Sequence, residues 1–187
     1  MRLYALCDQD MLDSKGVSLD EYIELAKKYN AEIIQYRNKN ADIAFIKKQL
    51  IHIRKSYDGF LIVNDTYELV EFCDGVHLGQ EDLKAIDEDI QKAVKILRSV
   101  VTSDKILGIS THNEDEILQA NELDLNYIGL GAYRDTNTKK DICTTLGDKL
   151  DTLALLSKHL VAAIGGVKLD DKFENVAYSV IGSGLIR

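Results

Sequence analysis

The sequence predicts an α/β protein, a compact (βα)8 TIM barrel with reduced C-terminal helices. Three observations lead there. Eight short apolar runs recur along the 187 residues, at 3–6, 33–36, 60–63, 75–78, 106–109, 127–130, 160–164 and 176–181. They are aliphatic or β-branched with little polar alternation, as parallel strands buried on both faces should be. Longer stretches with apolar residues at helical spacing separate most of them. Finally, nearly every run is followed by charged, hydroxyl or glycine residues, and the ends of barrel strands are where such a fold places its site. An open doubly wound sheet accounts for the strand–helix alternation almost as well; closure is the simplest use of eight strands.

The helices are expected at 19–29, where Ser18 is a plausible N-cap, and at 43–56, 86–101, 114–123 behind Asn113, and 150–158. A short helical turn is expected at 68–73. The last covering helices are missing: the stretch at 170–175 is too short for one, and the chain stops just after the eighth run. A missing eighth helix would leave apolar surface that a second copy of the chain could cover, giving a homo-oligomer. No linker composition appears, so residues 1–187 read as a single barrel domain.

The formal net charge is −8, a diffuse acidic balance that argues against nucleic acid and against an anionic membrane surface as partners. No apolar stretch approaches the ~18 residues of a membrane span, and the N-terminus turns polar too early for a signal peptide. Cys7, Cys73 and Cys143 are odd in number and widely spaced, which reads as reduced thiols of a cytoplasmic protein. There is no proline, so turns and helix stops must rest on Gly, Asn and Asp.

The candidate chemistry lies behind the strands. After the second run, alternation puts Gln35, Arg37 and Lys39 on one side, an amide and two cations suited to a polyphosphate. After the third and fourth come Asn64, Asp65 and Asp82; two carboxylates suit Mg²⁺, which takes its other oxygens from water and phosphate. His77 sits within an apolar run and reads as a packed, hydrogen-bonded histidine. Ser110 follows the fifth run and His112 lies two residues on. After the sixth, Thr136, Thr138 and Lys139 offer two hydroxyls and an ammonium to a phosphate. Gly165–Gly166 and Gly182–Ser183–Gly184 close the last two strands, where barrels often bind phosphate through backbone N–H groups. Each motif alone also reads as a solvated turn or a helix cap. Their recurrence at the same place in successive βα units is what singles them out.

Taken in order, Gln35-Tyr36-Arg37-Asn38-Lys39, Asn64-Asp65, the block from Asp74 to Asp82, Gly108-Ile109-Ser110-Thr111-His112, Thr136-Asn137-Thr138-Lys139 and Gly165-Gly166 resemble the motifs of the thiamine phosphate synthase family, whose relatives include the thiazole tautomerase TenI. The resemblance implies a (βα)8 barrel that joins hydroxymethylpyrimidine pyrophosphate to thiazole phosphate, releasing pyrophosphate, with Mg²⁺. It implies that Gln35, Arg37, Lys39 and Asn64 bind the pyrimidine pyrophosphate, that Asp65 and Asp82 hold the metal, and that Ser110 lies near the pyrimidine. Thr136, Thr138 and Gly166 fall to the thiazole phosphate and Lys139 to pyrophosphate; Gly182 and Ser183 are candidates for a further phosphate contact by their place after the eighth strand, not through the resemblance. Lys39, Lys139, Arg37 and Ser110 are then the residues expected to carry catalysis. The sequence departs from the family pattern at Asn38, where Glu is usual, and across Gly131-Ala132-Tyr133-Arg134-Asp135, where prolines are usual. Two other readings stand beside the synthase: a TenI-like tautomerase with His112 as proton carrier, and a non-catalytic binder of phosphorylated ligands.

Overall fold

The computed structural model describes residues 2–135 and 145–186. Eight parallel strands form a closed barrel in sequence order: β1 (Arg2–Asp8), β2 (Ile33–Arg37), β3 (Phe60–Asn64), β4 (Gly75–Leu78), β5 (Ile106–Thr111), β6 (Tyr127–Leu130), β7 (Leu160–Ala163) and β8 (Tyr178–Ile181). Closure is made by β1 and β8, with Arg2 opposite Tyr178 and Ala5 opposite Ile181. The open-sheet alternative is thereby removed.

Helices wrap the strands: α1 (Gln9–Lys15), α2 (Leu19–Lys28), α3 (Ile43–Ser56), α4 (Gln80–Ile86), α5 (Ile90–Arg98), α6 (Glu114–Ala120) and α7 (Lys149–Ala154). Local chemistry starts them. The Ser18 hydroxyl accepts from Glu21 N and the Glu21 carboxylate accepts from Ser18 N, a capping box on α2. Asp42 and Asn113 cap α3 and α6 through their side-chain oxygens. Tyr22 of α2 is fully buried, and its hydroxyl donates to Leu6 O at 2.8 Å, tying the helix to β1.

Several expectations are corrected. The helix expected at 86–101 is divided, because Asp87 is extended and the Asp89 carboxylate accepts from Gln91 N and Lys92 N, restarting the chain as α5. The helices expected at 114–123 and 150–158 end at Ala120 and Ala154, and the turn near 68–73 is a 3-10 helix, Tyr67–Phe72. Helix α1 was not anticipated; its only buried residues are Met11 and Leu12. As expected, β7 and β8 are joined without an α-helix; a 3-10 turn, Ser183–Leu185, follows β8. Among the described residues no helix is long and apolar enough to cross a membrane.

The strands separate two apolar layers. Their outward residues pack with the helices, Ile34, Leu61, Val76 and Ile128 among them. Their inward residues, Tyr4, Ile33, Ile62, Tyr127, Ala162, Tyr178 and Val180, fill the barrel. Gly108 makes room there, since a Cβ on it would lie 2.2 Å from the Tyr127 ring. This plug closes the interior, so the polar residues toward the C-terminal ends of the strands face the mouth.

Candidate active site at the barrel mouth

Five side chains stack polar groups inside the barrel below the mouth. Gln35 Nε2 donates to the Tyr4 hydroxyl at 2.5 Å, and the Tyr4 and Tyr127 hydroxyls are 2.9 Å apart. The Tyr127 hydroxyl lies 2.9 Å from His77 Nδ1, and His77 Nε2 lies 3.0 Å from Ser110 Oγ. Burial pushes both phenols well above the ordinary tyrosine range, so they stay protonated and serve as donors. His77 is therefore the packed, hydrogen-bonded residue the sequence indicates, and it holds the Ser110 hydroxyl at the top of the stack.

Above this stack the charged residues converge. Lys39 Nζ is 2.9 Å from Asp65 Oδ2 and 4.0 Å from Asp82 Oδ2, so one ammonium serves two carboxylates contributed by the β3 and β4 ends. Asp65 stands at φ +62°, a left-handed conformation that Asp tolerates better than most residues. The turn is held by Asp65 N donating to His77 O and Tyr67 N donating to Asp65 O. Burial raises the Asp65 carboxyl above the usual carboxylate range and the nearby Asp82 charge adds to this, while Lys39 opposes it. Asp82 Oδ2 also accepts from Gly79 N at 3.2 Å, which fixes that carboxylate at the start of α4. Asn64 lies in register with His77 at the same level.

Two residues of this mouth escaped the sequence reading. Asp8, 3% exposed at the end of β1, pairs with the Arg37 guanidinium and accepts from Met11 N, capping α1. Arg37 is thus steered by a buried carboxylate. The only signal was that the first strand, like β2, β3 and β5, ends in a polar residue. Gln80 is the other, donating to the Ser110 carbonyl at 2.6 Å.

The structure brings Gln35, Arg37, Lys39, Asn64, Asp65, Asp82 and Ser110 to the adjoining ends of β2 to β5 and the turns after them. Gly166, Gly182 and Ser183 follow β7 and β8 at the same mouth. Thr136, Thr138 and Lys139, together with Cys143, lie outside the described residues. His112 is half exposed and tied through Nδ1 to Glu116 of the following helix α6 at 2.9 Å. Of Arg37, Lys39, Asp8, Asp65 and Asp82, two are cations and three are acids, a formal balance of −1. An oxygen-rich donor set with excess negative charge fits a hard divalent cation accompanied by an anionic ligand.

Beyond β6 and β7, Arg134 makes a two-pronged pair with Asp171, at 2.6 and 2.7 Å. Arg134 holds the Asp171 carboxyl below the usual carboxylate range. A folded-state pKa so depressed contributes stability above the unfolded value of about 4, and that stability is lost as pH falls through the folded value. Asp171→Asn therefore lowers the urea midpoint at pH 7, and this penalty shrinks toward pH 3. A penalty undiminished at pH 3 would show that charge is not its source.

A closed parallel barrel that gathers cations, carboxylates and glycines at the C-terminal ends of its strands has the layout of a TIM-barrel enzyme. Comparison with known proteins makes the class specific. The family model of thiamine monophosphate synthase matches residues 3–183. A thiamine-phosphate synthase of Persephonella marina is 34% identical over 172 residues, 89% of this chain and 77% of the relative. One of Clostridium novyi is 32% identical over 193 residues, covering 99% and 88%. The solved thiamine phosphate pyrophosphorylase from Pyrococcus furiosus superposes with a TM-score of 0.77 over 97% of this chain and 85% of that one, at 23% identity, a likeness of fold. The chain belongs to the thiamine monophosphate synthase family and is a transferase of thiamine biosynthesis.

Proposed function

We propose that this protein is a cytoplasmic, Mg²⁺-dependent enzyme that joins hydroxymethylpyrimidine pyrophosphate to thiazole phosphate, yielding thiamine phosphate and pyrophosphate. The observation that carries this reading is the convergence of Asp65 and Asp82 on Lys39 beside the Arg37–Asp8 pair, at the mouth of a barrel of this family. In the reaction the thiazole nitrogen supplies the electron pair for the new bond to the pyrimidine methylene. The carbon–oxygen bond to pyrophosphate breaks, and its electrons leave with the pyrophosphate.

The residues answer to these demands. Gln35 and Asn64 take the pyrimidine pyrophosphate by hydrogen bonds, and Arg37, already oriented by Asp8, offers its remaining guanidinium N–H groups. Ser110, held by His77, sets the pyrimidine ring. Lys39 and Lys139 neutralise the charge that grows on the leaving group, the moment at which fixed charges lower a barrier most. Thr136, Thr138 and Gly166 take the acceptor phosphate, and Gly182 and Ser183 offer it further contacts. Asp65 and Asp82 would hold Mg²⁺. Their oxygens suit it, since Mg²⁺ takes one or two carboxylates and completes its shell with water and phosphate. Bound there, the metal supplies positive charge to the phosphate oxygens.

The test is turnover. Purified protein given both substrates and Mg²⁺ forms thiamine phosphate, and excess EDTA abolishes the product until Mg²⁺ is restored. No product from folded protein would remove the synthase reading. Turnover indifferent to EDTA would remove the metal.

A further inference from the structure

Three segments meet behind β6 and β7. Tyr133 N donates to Ile164 O and Arg134 N to Gly165 O, both at 2.8 Å. From the other side, Leu146 N and Gly147 N donate to Ala132 O and Tyr133 O at 2.8 and 3.0 Å. The base of the β6 loop is thus held against the turn that follows β7. That turn is Gly165–Gly166, with φ of +87° and +66°. It is shaped by close approach: a Cβ on Gly165 would stand 2.5 Å from Ala132 Cβ, and one on Gly166 would stand 2.8 Å from Arg134 Cβ.

Arg134 joins the third segment. One guanidinium nitrogen donates to Gly166 O at 3.1 Å and to Asp171 at 2.6 Å, and the other donates to Asp171 at 2.7 Å. Asp171 also accepts from Lys168 N at 2.8 Å, closing its own turn. Tyr133 packs edge-to-face on Phe173, ring centres 5.0 Å apart, and Arg134 lies 4.2 Å over the Tyr133 ring. The chain between β7 and β8, which carries no α-helix, is thereby pinned to the β6 loop by a forked ion pair and an aromatic contact.

We propose that Arg134 and Asp171 are positioning residues for the acceptor side of the reaction: they fix the Gly166 peptide and the base of the β6 loop, and so set affinity for the thiazole phosphate without touching it. This rests on the reading that Gly166 lies at the acceptor phosphate. A planar guanidinium that grips a carboxylate with two bonds and a backbone carbonyl with a third restrains orientation as well as distance, which an ammonium cannot do. Apart from Lys139, the residues assigned to the donor stand on β2 to β5 and the turns after them, and none of the bonds just described reaches them.

The experiment varies the two substrates separately in steady-state kinetics of wild type, R134M, R134K and D171N, and titrates thiazole phosphate alone into each by calorimetry. In R134M and D171N, KM and Kd for thiazole phosphate rise about tenfold, within the 10²-fold that a 1 Å misplacement can cost. KM for the pyrimidine pyrophosphate stays within about twofold. R134K, which keeps the charge but not the fork, falls between wild type and R134M. Equal losses on both substrates, or unchanged thiazole phosphate binding in folded variants, would overturn the inference. Calorimetry separates it from the functional reading. A wild type that makes no thiamine phosphate, but binds thiazole phosphate in a manner dependent on Arg134, removes the synthase and keeps the positioning pair. A wild type that binds none removes the pair.

Discussion

Lys39→Ala lowers kcat for thiamine phosphate formation by about 10²–10³-fold, the effect of removing one preorganised group that stabilises developing negative charge, about 2.7–4 kcal/mol. The residue is placed for that role. It arises just past the end of β2, and its ammonium is held by two carboxylates, so it is oriented before any ligand arrives. The same geometry separates two roles for it. If Lys39 acts on the leaving group, its removal leaves Asp65 and Asp82 free to attract a cation, and the Mg²⁺ concentration for half-maximal rate stays level or falls. If Lys39 served only to assemble the metal site, that concentration would rise with the loss of rate. Rate within tenfold of wild type would take Lys39 out of the chemistry. Lys139→Ala should lose activity to a similar degree.

The second large effect is on stability. Gly75→Ala destabilises the barrel by about 1–3 kcal/mol, the cost of forcing extra volume into a close-packed interior. Gly75 pairs with Ile106 across the β4–β5 seam. A methyl group there would stand 2.2 Å from the Ile106 carbonyl oxygen and 2.5 Å from its Cβ. Because the nearest atom is backbone, shortening the neighbour does not relieve it, and Gly75→Ala/Ile106→Val is no more stable than Gly75→Ala. The melting temperature should fall by about 2–4 °C for each kcal/mol lost in a chain of this size. A variant melting within 1 °C of wild type would mean the seam can open without cost.

Much of the site was legible because strand alternation and strand ends are local facts. Gln35 and Arg37, two residues apart on β2, both turn to the interior side, as their spacing demands. Ser110 stands on β5, while Asp65 and Asp82 follow β3 and β4, because a parallel barrel brings every strand out at the same mouth. Asp8 was missed because its meaning is its partner: nothing near it in sequence announces that Arg37, 29 residues away, will donate to it. Helix α1 was missed for a related reason. Only Met11 and Leu12 of its seven residues are buried, and Asp8 and Gly16, which start and stop it, are equally good turn formers.

The sequence by itself determined the alternation of eight buried strands with helices, the short connection between the last two strands, and the polar residues waiting behind the strands. These follow from hydrophobic period and from capping chemistry, which act over a few residues. Tertiary structure alone decided closure, through pairing of the first strand with the last, 176 residues apart at Arg2 and Tyr178. It alone decided which acid meets which cation, Asp8 with Arg37, Asp65 and Asp82 with Lys39, Asp171 with Arg134. Charges pair according to distance in space, and the distance between two strand ends is set by the barrel as a whole.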